Sequence, residues 1–159
     1  MKSLKSIFFP IIYRFAMPCR RFYWYIFRPQ TRGVKCLIQK DGKFLLVRLA
    51  YAHKSWTVPG GGVKRNESFE EACHREIKEE IGVKLGPIFK IGEYVSKKEH
   101  KTDTVVVFYA ALPIEQALIL DDTEIQEVGW FAPKNLPHPH MPNVKTILEF
   151  YEQFQSRKN

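Results

Sequence analysis

Cysteine is scarce in this chain: three among 159 residues, at positions 19, 36 and 73. The number is odd and no pair has a recognisable spacing, which excludes a disulfide-stapled scaffold and a cysteine-based zinc or redox motif. Cys36 and Cys73 fall on apolar faces and are expected to be reduced core thiols of an intracellular protein. Histidine offers no substitute, because His138-Pro139-His140 lacks further sulfur or histidine ligands at zinc spacing and reads as a loop. His74 reads as an exposed helix residue, and His53 as part of a solvated loop.

An uninterrupted apolar run is also missing. A membrane span needs about 20 apolar residues. The most aromatic stretch, SIFFPIIYRFAMPCRRFYWYIFRP, is broken by Pro10 and Pro18 and carries Arg14, Arg20, Arg21 and Arg28. It does not read as a secretory signal either, since its apolar core is short and lacks a small-residue cleavage site. Acidic residues are nearly absent from the front of the chain: residues 1–50 hold eleven Lys or Arg against one acid, the remainder fourteen against sixteen. The whole formal net charge of +8 therefore arises there. No internal repeat or low-complexity tract is present.

What remains is enough for one core. With 45% apolar and 14% aromatic residues, the chain suits a single domain. Strands are predicted at 33–39 and 43–49, joined by an Asp41-Gly42 turn, then a short extended piece at 56–58 ahead of Pro59. Ser68-Phe69-Glu70-Glu71 reads as a capping box and Gly82 as a left-handed terminator, so a helix is predicted over 68–81. Its apolar positions Phe69, Ala72, Cys73, Ile77 and Ile81 form a docking stripe. Further strands are predicted at 88–96, 104–112 and 127–131, with 97–103 a hydrophilic connection and 133–142 a proline-punctuated loop. A final amphipathic helix is predicted at 144–155. Interleaved strands and helices make the fold class α/β.

The chemistry sits on the first helix. Steps of about 100° per residue bring Glu76, Glu79 and Glu80 within an arc of about 100°. Three carboxylates so placed repel unless solvent or a cation intervenes. Pro59-Gly60-Gly61-Gly62 precedes them, a turn whose missing side chains let backbone groups approach a ligand closely. The combination reads as a site for a hard cation and a phosphate.

The stretch from Gly61 to Val83 resembles the Nudix hydrolase signature, G-x5-E-x7-R-E-U-x-E-E-x-G-U with U a bulky aliphatic residue. Gly61, Glu67, Arg75, Glu76, Ile77, Glu79, Glu80, Gly82 and Val83 fill every fixed position. The wider resemblance runs from about Thr31 to Phe154, which divides the chain into a basic aromatic extension, 1–30, and a Nudix hydrolase domain, 31–159. It implies a Nudix-type α/β/α sandwich with a mixed β-sheet and a pyrophosphohydrolase acting on acid anhydrides. It further implies Mg²⁺ or Mn²⁺ held by Glu76, Glu79 and Glu80, with the Gly60 carbonyl and Glu124 as further ligands. Glu76 and Glu79 would be catalytic, with Arg75 pairing Glu67 and orienting the cluster. The general base is expected to be a box glutamate, Glu79 or Glu76, with Glu99, His100 and Asp103 as loop alternatives.

The substrate implied is a nucleoside diphosphate linked to another group. Gly61, Trp56 and Tyr51 are the substrate-binding candidates, with Phe44 and Tyr94 as further aromatics that could stack on a base. The marks of several subgroups are missing: Lys98–Lys101 occupy the interval where a diagnostic proline or tyrosine would stand, and Trp56–Gly60 lacks a glutamine variant. Nucleoside triphosphates or a close derivative are therefore the default. A non-catalytic nucleotide-sensing module on the same fold is the alternative. Residues 1–30 admit packing on their own domain or in a homodimer, a peripheral anchor on an anionic membrane surface, or nucleic-acid contact, the last disfavoured. The expected location is cytoplasmic, peripheral to the membrane if that anchor operates.

Overall fold

Asp41 and Gly42 both adopt positive φ, 49° and 71°, the geometry of a two-residue hairpin turn. They reverse the chain between β1 (Gln30–Lys40) and β2 (Lys43–Leu49). The computed structural model describes residues 24–26, 28–49, 55–98, 100–112, 116–121 and 124–158. Tyr51, His53, Glu99, Cys19 and most of the 1–30 extension lie outside the described residues. Further elements are β3 (Trp56–Thr57), α1 (Phe69–Ile81), β4 (Phe89–Lys98), β5 (Lys101–Ala111), β6 (Ile125–Phe131) and α2 (Asn143–Ser156).

The strands form one mixed sheet of order β3-β2-β1-β5-β4, with β6 also on β2. β1 and β5 run parallel from Gln30↔Thr102 to Gln39↔Ala111, while β4 and β5 are antiparallel. Side chains alternate between two cores, as the pleat requires. Val34, Cys36 and Ile38 of β1, Leu45 and Val47 of β2, and Phe108 of β5 bury with Ala72, Cys73, Ile77 and Ile81 of α1. Leu37, Phe44, Leu46 and Val107 face the other way and bury with Val144, Ile147 and Leu148 of α2. The result is the expected α/β/α sandwich. Each fully buried aliphatic side chain contributes about 1.5–3 kcal/mol, so two continuous apolar layers outweigh the local propensities of the short strands. Cys36 and Cys73 are buried free thiols, and the hydrogen bond between them together with burial pushes the Cys36 thiol well up.

Several strands outrun their sequence signals. β4 and β5 extend through Lys98 and from Lys101, so most of the predicted hydrophilic connection is strand, closed by a turn in which His100 takes φ 62°. Lys97↔Thr102 and Lys98↔Lys101 pairing satisfies those backbones whatever the polarity of the side chains. β1 begins at Gln30, ahead of the proposed boundary, and Trp24 is buried beneath the Lys101 ammonium, 4.8 Å from its ring. Among the described residues no helix is long and apolar enough to cross a membrane.

Candidate active site

Residues 59–63 are laced along β1 rather than looping free. Val34 N–H donates to Gly61 O at 2.9 Å, Cys36 N–H to Pro59 O at 3.0 Å, and Val63 N–H to Arg32 O at 2.9 Å. Gly60 takes φ 127°, and a methyl there would overlap the Val34 carbonyl. A methyl on Gly61 would overlap the Glu76 carboxylate. The two glycines thus let the turn lie flat between β1 and the acidic face of α1.

α1 is specified locally. Ser68 Oγ accepts from Glu71 N–H at 3.1 Å, the Glu71 carboxylate accepts from Ser68 N–H at 2.8 Å, and Gly82 closes the helix at φ 71°. The Arg75 guanidinium then spans the site. It donates to both oxygens of Glu67 at 2.7 and 2.9 Å, to Gly62 O at 2.8 Å, to Glu76 at 2.6 Å and to Glu79 at 3.1 Å. Arg75 and a backbone hydrogen bond from Lys64 hold the Glu67 carboxyl down at about 2. Arg75 and Glu67 are thus paired through two hydrogen bonds.

Glu80 is the buried acid among the described residues, at 6% exposure. Its carboxylate accepts from Gly60 N–H at 2.8 Å. Burial pushes its pKa up, the Lys35 ammonium and the Gly60 hydrogen bond oppose this, and the charges of Glu76 and Glu124 add to the rise. Glu124 is likewise pushed up, by partial burial first and then by Asp121, Glu76 and Glu79. The loop holding Asp121 is tied to the end of α1, where Asp121 N–H donates to Glu80 O at 3.0 Å. The structure therefore brings Glu124 into the field of the box glutamates.

The three box carboxylates do not form a ready-made cage, contrary to the convergence read from helical spacing. Among the described residues no group of three or more His, Cys, Asp or Glu is arranged to hold a metal. Arg75 draws oxygens of Glu76 and Glu79 toward itself while Glu80 turns to the Gly60 amide, which separates the like charges. The donor set nevertheless suits a hard divalent ion. It is all oxygen, one oxygen each of Glu76 and Glu80 stays outside these hydrogen bonds, and Glu80 and Glu124 are pushed up by burial first and by neighbouring negative charge after it. The Gly60 carbonyl fits less well, because it accepts from the Lys35 ammonium at 2.9 Å.

Beside this cluster opens a cleft of about 670 Å³. Arg32, Lys35, Lys64, Arg65 and Lys101 line it against one acid, Asp103. Gly60 and Gly61 form part of its wall. Asp103 accepts from Thr31 Oγ1 at 2.9 Å and lies 3.7 Å from the Lys101 ammonium. Of the aromatic candidates, Phe44 is fully buried against Tyr151 and unable to stack on a ligand. Trp56 is 7% exposed, edge-on to Phe131 at 4.9 Å, and sits in the α2-side core behind the cleft wall. Tyr94 is half-buried and accepts from Asn143 Nδ2 at 3.0 Å. His100 lies apart, edge-on to Tyr25. His138 and His140 stack on each other at 4.9 Å away from the cleft. The cleft cations, Lys35 above all, went unnoticed in the sequence, where the available signal was a lysine inside the apolar run Gly33-Val34-Lys35-Cys36-Leu37-Ile38.

A mixed sheet between two helices, with a glutamate-bearing helix seated on a glycine turn, defines the α/β/α class of Nudix-type hydrolases. Comparison with known proteins agrees. A profile of the NUDIX domain matches residues 28–154. The chain is 33% identical over 122 residues to a Bacillus subtilis (strain 168) protein named as a candidate 8-oxo-dGTP diphosphatase, covering 77% of this chain and 80% of that one. It is 27% identical over 132 residues to the nucleoside triphosphatase NudI of Escherichia coli (strain K12), covering 74% and 92%. The crystal structure of a MutT NUDIX hydrolase from Burkholderia pseudomallei superposes with a TM-score of 0.70 at 26% identity, covering 76% of this chain and 97% of that one. The chain belongs to the Nudix family and is a Nudix-type hydrolase for nucleotide-like substrates.

Proposed function

We propose that the protein hydrolyses a phosphoanhydride bond of a nucleoside diphosphate derivative, with nucleoside triphosphates as the default substrate, in a reaction dependent on Mg²⁺ or Mn²⁺. The observation that carries this is the seating of Glu76 against Gly61 near buried Glu80, beside a cleft whose lining is strongly basic. The names of the Bacillus subtilis and Escherichia coli relatives support a nucleoside triphosphate.

Glu76, Glu79 and Glu80 would hold the ion, with Glu124 beside them. When bound, such an ion neutralises phosphate charge and acidifies a water. The protein's own groups do the rest. Arg32, Lys64, Arg65 and Lys101 attract the phosphate chain into the cleft. Arg75 holds Glu76 and Glu79 in place. Glu79, with its side chain 56% exposed and 3.8 Å from the Lys64 ammonium, is the acid best placed to accept a proton from an attacking water. Gly61 keeps the wall thin, and Tyr51 is retained as a base-stacking residue. Residues 1–30 are assigned to packing on their own domain, which buried Trp24 supports, with contact to an anionic membrane surface as the alternative; vesicle binding with and without them separates the two.

The deciding experiment is phosphate or pyrophosphate release from a panel of nucleotides by the full chain, with Mg²⁺, with Mn²⁺ and after chelation. Turnover of at least one nucleotide, lost on chelation, is expected. No turnover with any ion would overturn the hydrolase reading in favour of a nucleotide sensor.

A further inference from the structure

We propose that Lys35 is a built-in cation of the active site whose ammonium occupies the Gly60 carbonyl, so that a divalent ion here is held by side-chain carboxylates without that carbonyl. The inference rests on the metal-dependent reading above and concerns how the ion is held.

Its basis is the register of the glycine turn on β1. Lys35 sits between Val34 and Cys36, whose N–H groups bond Gly61 O and Pro59 O. That pairing fixes Val58 O and Gly60 O 2.8 and 2.9 Å from Lys35 Nζ. The Gly60 residue is therefore engaged at both of its polar atoms, with its N–H on Glu80 at 2.8 Å and its oxygen on Lys35. These two hydrogen bonds hold Gly60 in this orientation, at φ 127°. Burial pulls the Lys35 pKa down, and the charges of Glu80, Glu76 and Asp103 oppose this in favour of the ammonium. A divalent ion on the same carbonyl would meet a fixed positive charge at close range, in surroundings where repulsion is poorly screened. Arg75 engages one oxygen each of Glu76 and Glu79, while the second oxygens of Glu76 and Glu80 stay outside these hydrogen bonds. Lys35 also borders the cleft, so it supplies positive charge to a bound phosphate where a carbonyl-bound ion would have done so.

The test loads the full-length protein, labelled with ¹³C at glycine carbonyls, with Mn²⁺ and measures ¹³C electron–nuclear double resonance alongside Mn²⁺ titration. Wild type and Lys35→Arg are expected to bind Mn²⁺ without the strong coupling of a directly bonded carbonyl. Lys35→Met should show that coupling and bind Mn²⁺ on the order of tenfold tighter, since a like charge is gone and the carbonyl is freed. A directly bonded carbonyl in wild type would overturn the proposal, and so would a Lys35→Met spectrum and affinity identical to wild type. Should Lys35→Met fail to fold by circular dichroism, the wild-type spectrum alone decides. Wild type that binds no Mn²⁺ and turns over no nucleotide sinks the metal-dependent reading itself, an outcome distinct from Mn²⁺ bound through the carbonyl.

Discussion

Two charge networks share helix α1, and they are settled in opposite ways. On one side Arg75, with 19% of its side chain exposed, satisfies Glu67, Glu76, Glu79 and Gly62 O at once, and the Glu67 carboxyl is held at about 2. On the other side Glu80 meets the charges of Glu76 and Glu124, Glu124 meets those of Asp121, Glu76 and Glu79, and both carboxyls are pushed up, burial being the largest cause in each. The first network closes on itself. The second carries negative charge that the chain answers with one ammonium and one backbone amide, Lys35 and Gly60 N–H. Neutralisation is thus fuller at Glu67, before the first turn of α1, than at Glu80 in its last, and the second set is the one to which the proposed ion is assigned.

Four measurements would break or sharpen that contrast. The largest effect is expected from Glu79→Gln, which removes an exposed acid shared by the two networks. Turnover of the best nucleotide should fall roughly 10²–10⁴-fold, the range for losing a general base, with an unchanged far-ultraviolet spectrum. Gly60→Ala comes next. It strains a positive-φ position and drives a methyl into the Val34 carbonyl, so thermal or urea denaturation should show about 1–3 kcal/mol of lost stability or more. Without divalent ions, Glu80→Gln should melt at or slightly above wild type, because a buried charge is removed while an oxygen stays on the Gly60 amide; wild type alone should gain from added Mn²⁺. A clear loss of melting temperature in ion-free buffer would show instead that Glu80 is structural.

The smallest effect is a slope. A carboxyl lowered from 4.5 to about 2 stabilises the fold above the higher value, and the contribution is lost as pH falls through the lower one. Glu67→Gln should therefore flatten the rise in melting temperature between these limits. Glu80, raised rather than lowered, works with the opposite sign: its share of stability declines as pH rises through its folded pKa. Parallel melting curves for wild type and both variants, in ion-free buffer across the acid range, would separate the two networks.

Legibility in the sequence followed the range of the interactions. α1 was placed within a residue because Ser68, Glu71 and Gly82 are satisfied inside the helix they delimit. β2 matched its predicted 43–49 span, since the Asp41-Gly42 turn sets its start. β4 and β5 were underestimated because Lys97 and Thr102 owe their strand state to each other across the ladder, which no side-chain pattern announces. Trp56 and Phe44 read as ring surfaces near a cleft, yet the pleat turned both into the core under α2. Lys35 escaped notice altogether, because its partners are carbonyls more than twenty positions away.

By itself the sequence determined the family, the helix that bears the acids, and the order of those acids, because these depend on spacing within a few residues and on caps closing locally. The tertiary structure alone decided which acids are answered and which are left in mutual repulsion. That choice depends on where β1 lays the glycine turn, and so on which carbonyl meets Lys35 and which carboxylate meets Arg75; hydrogen bonds and charges act through space, along distances that chain position does not encode.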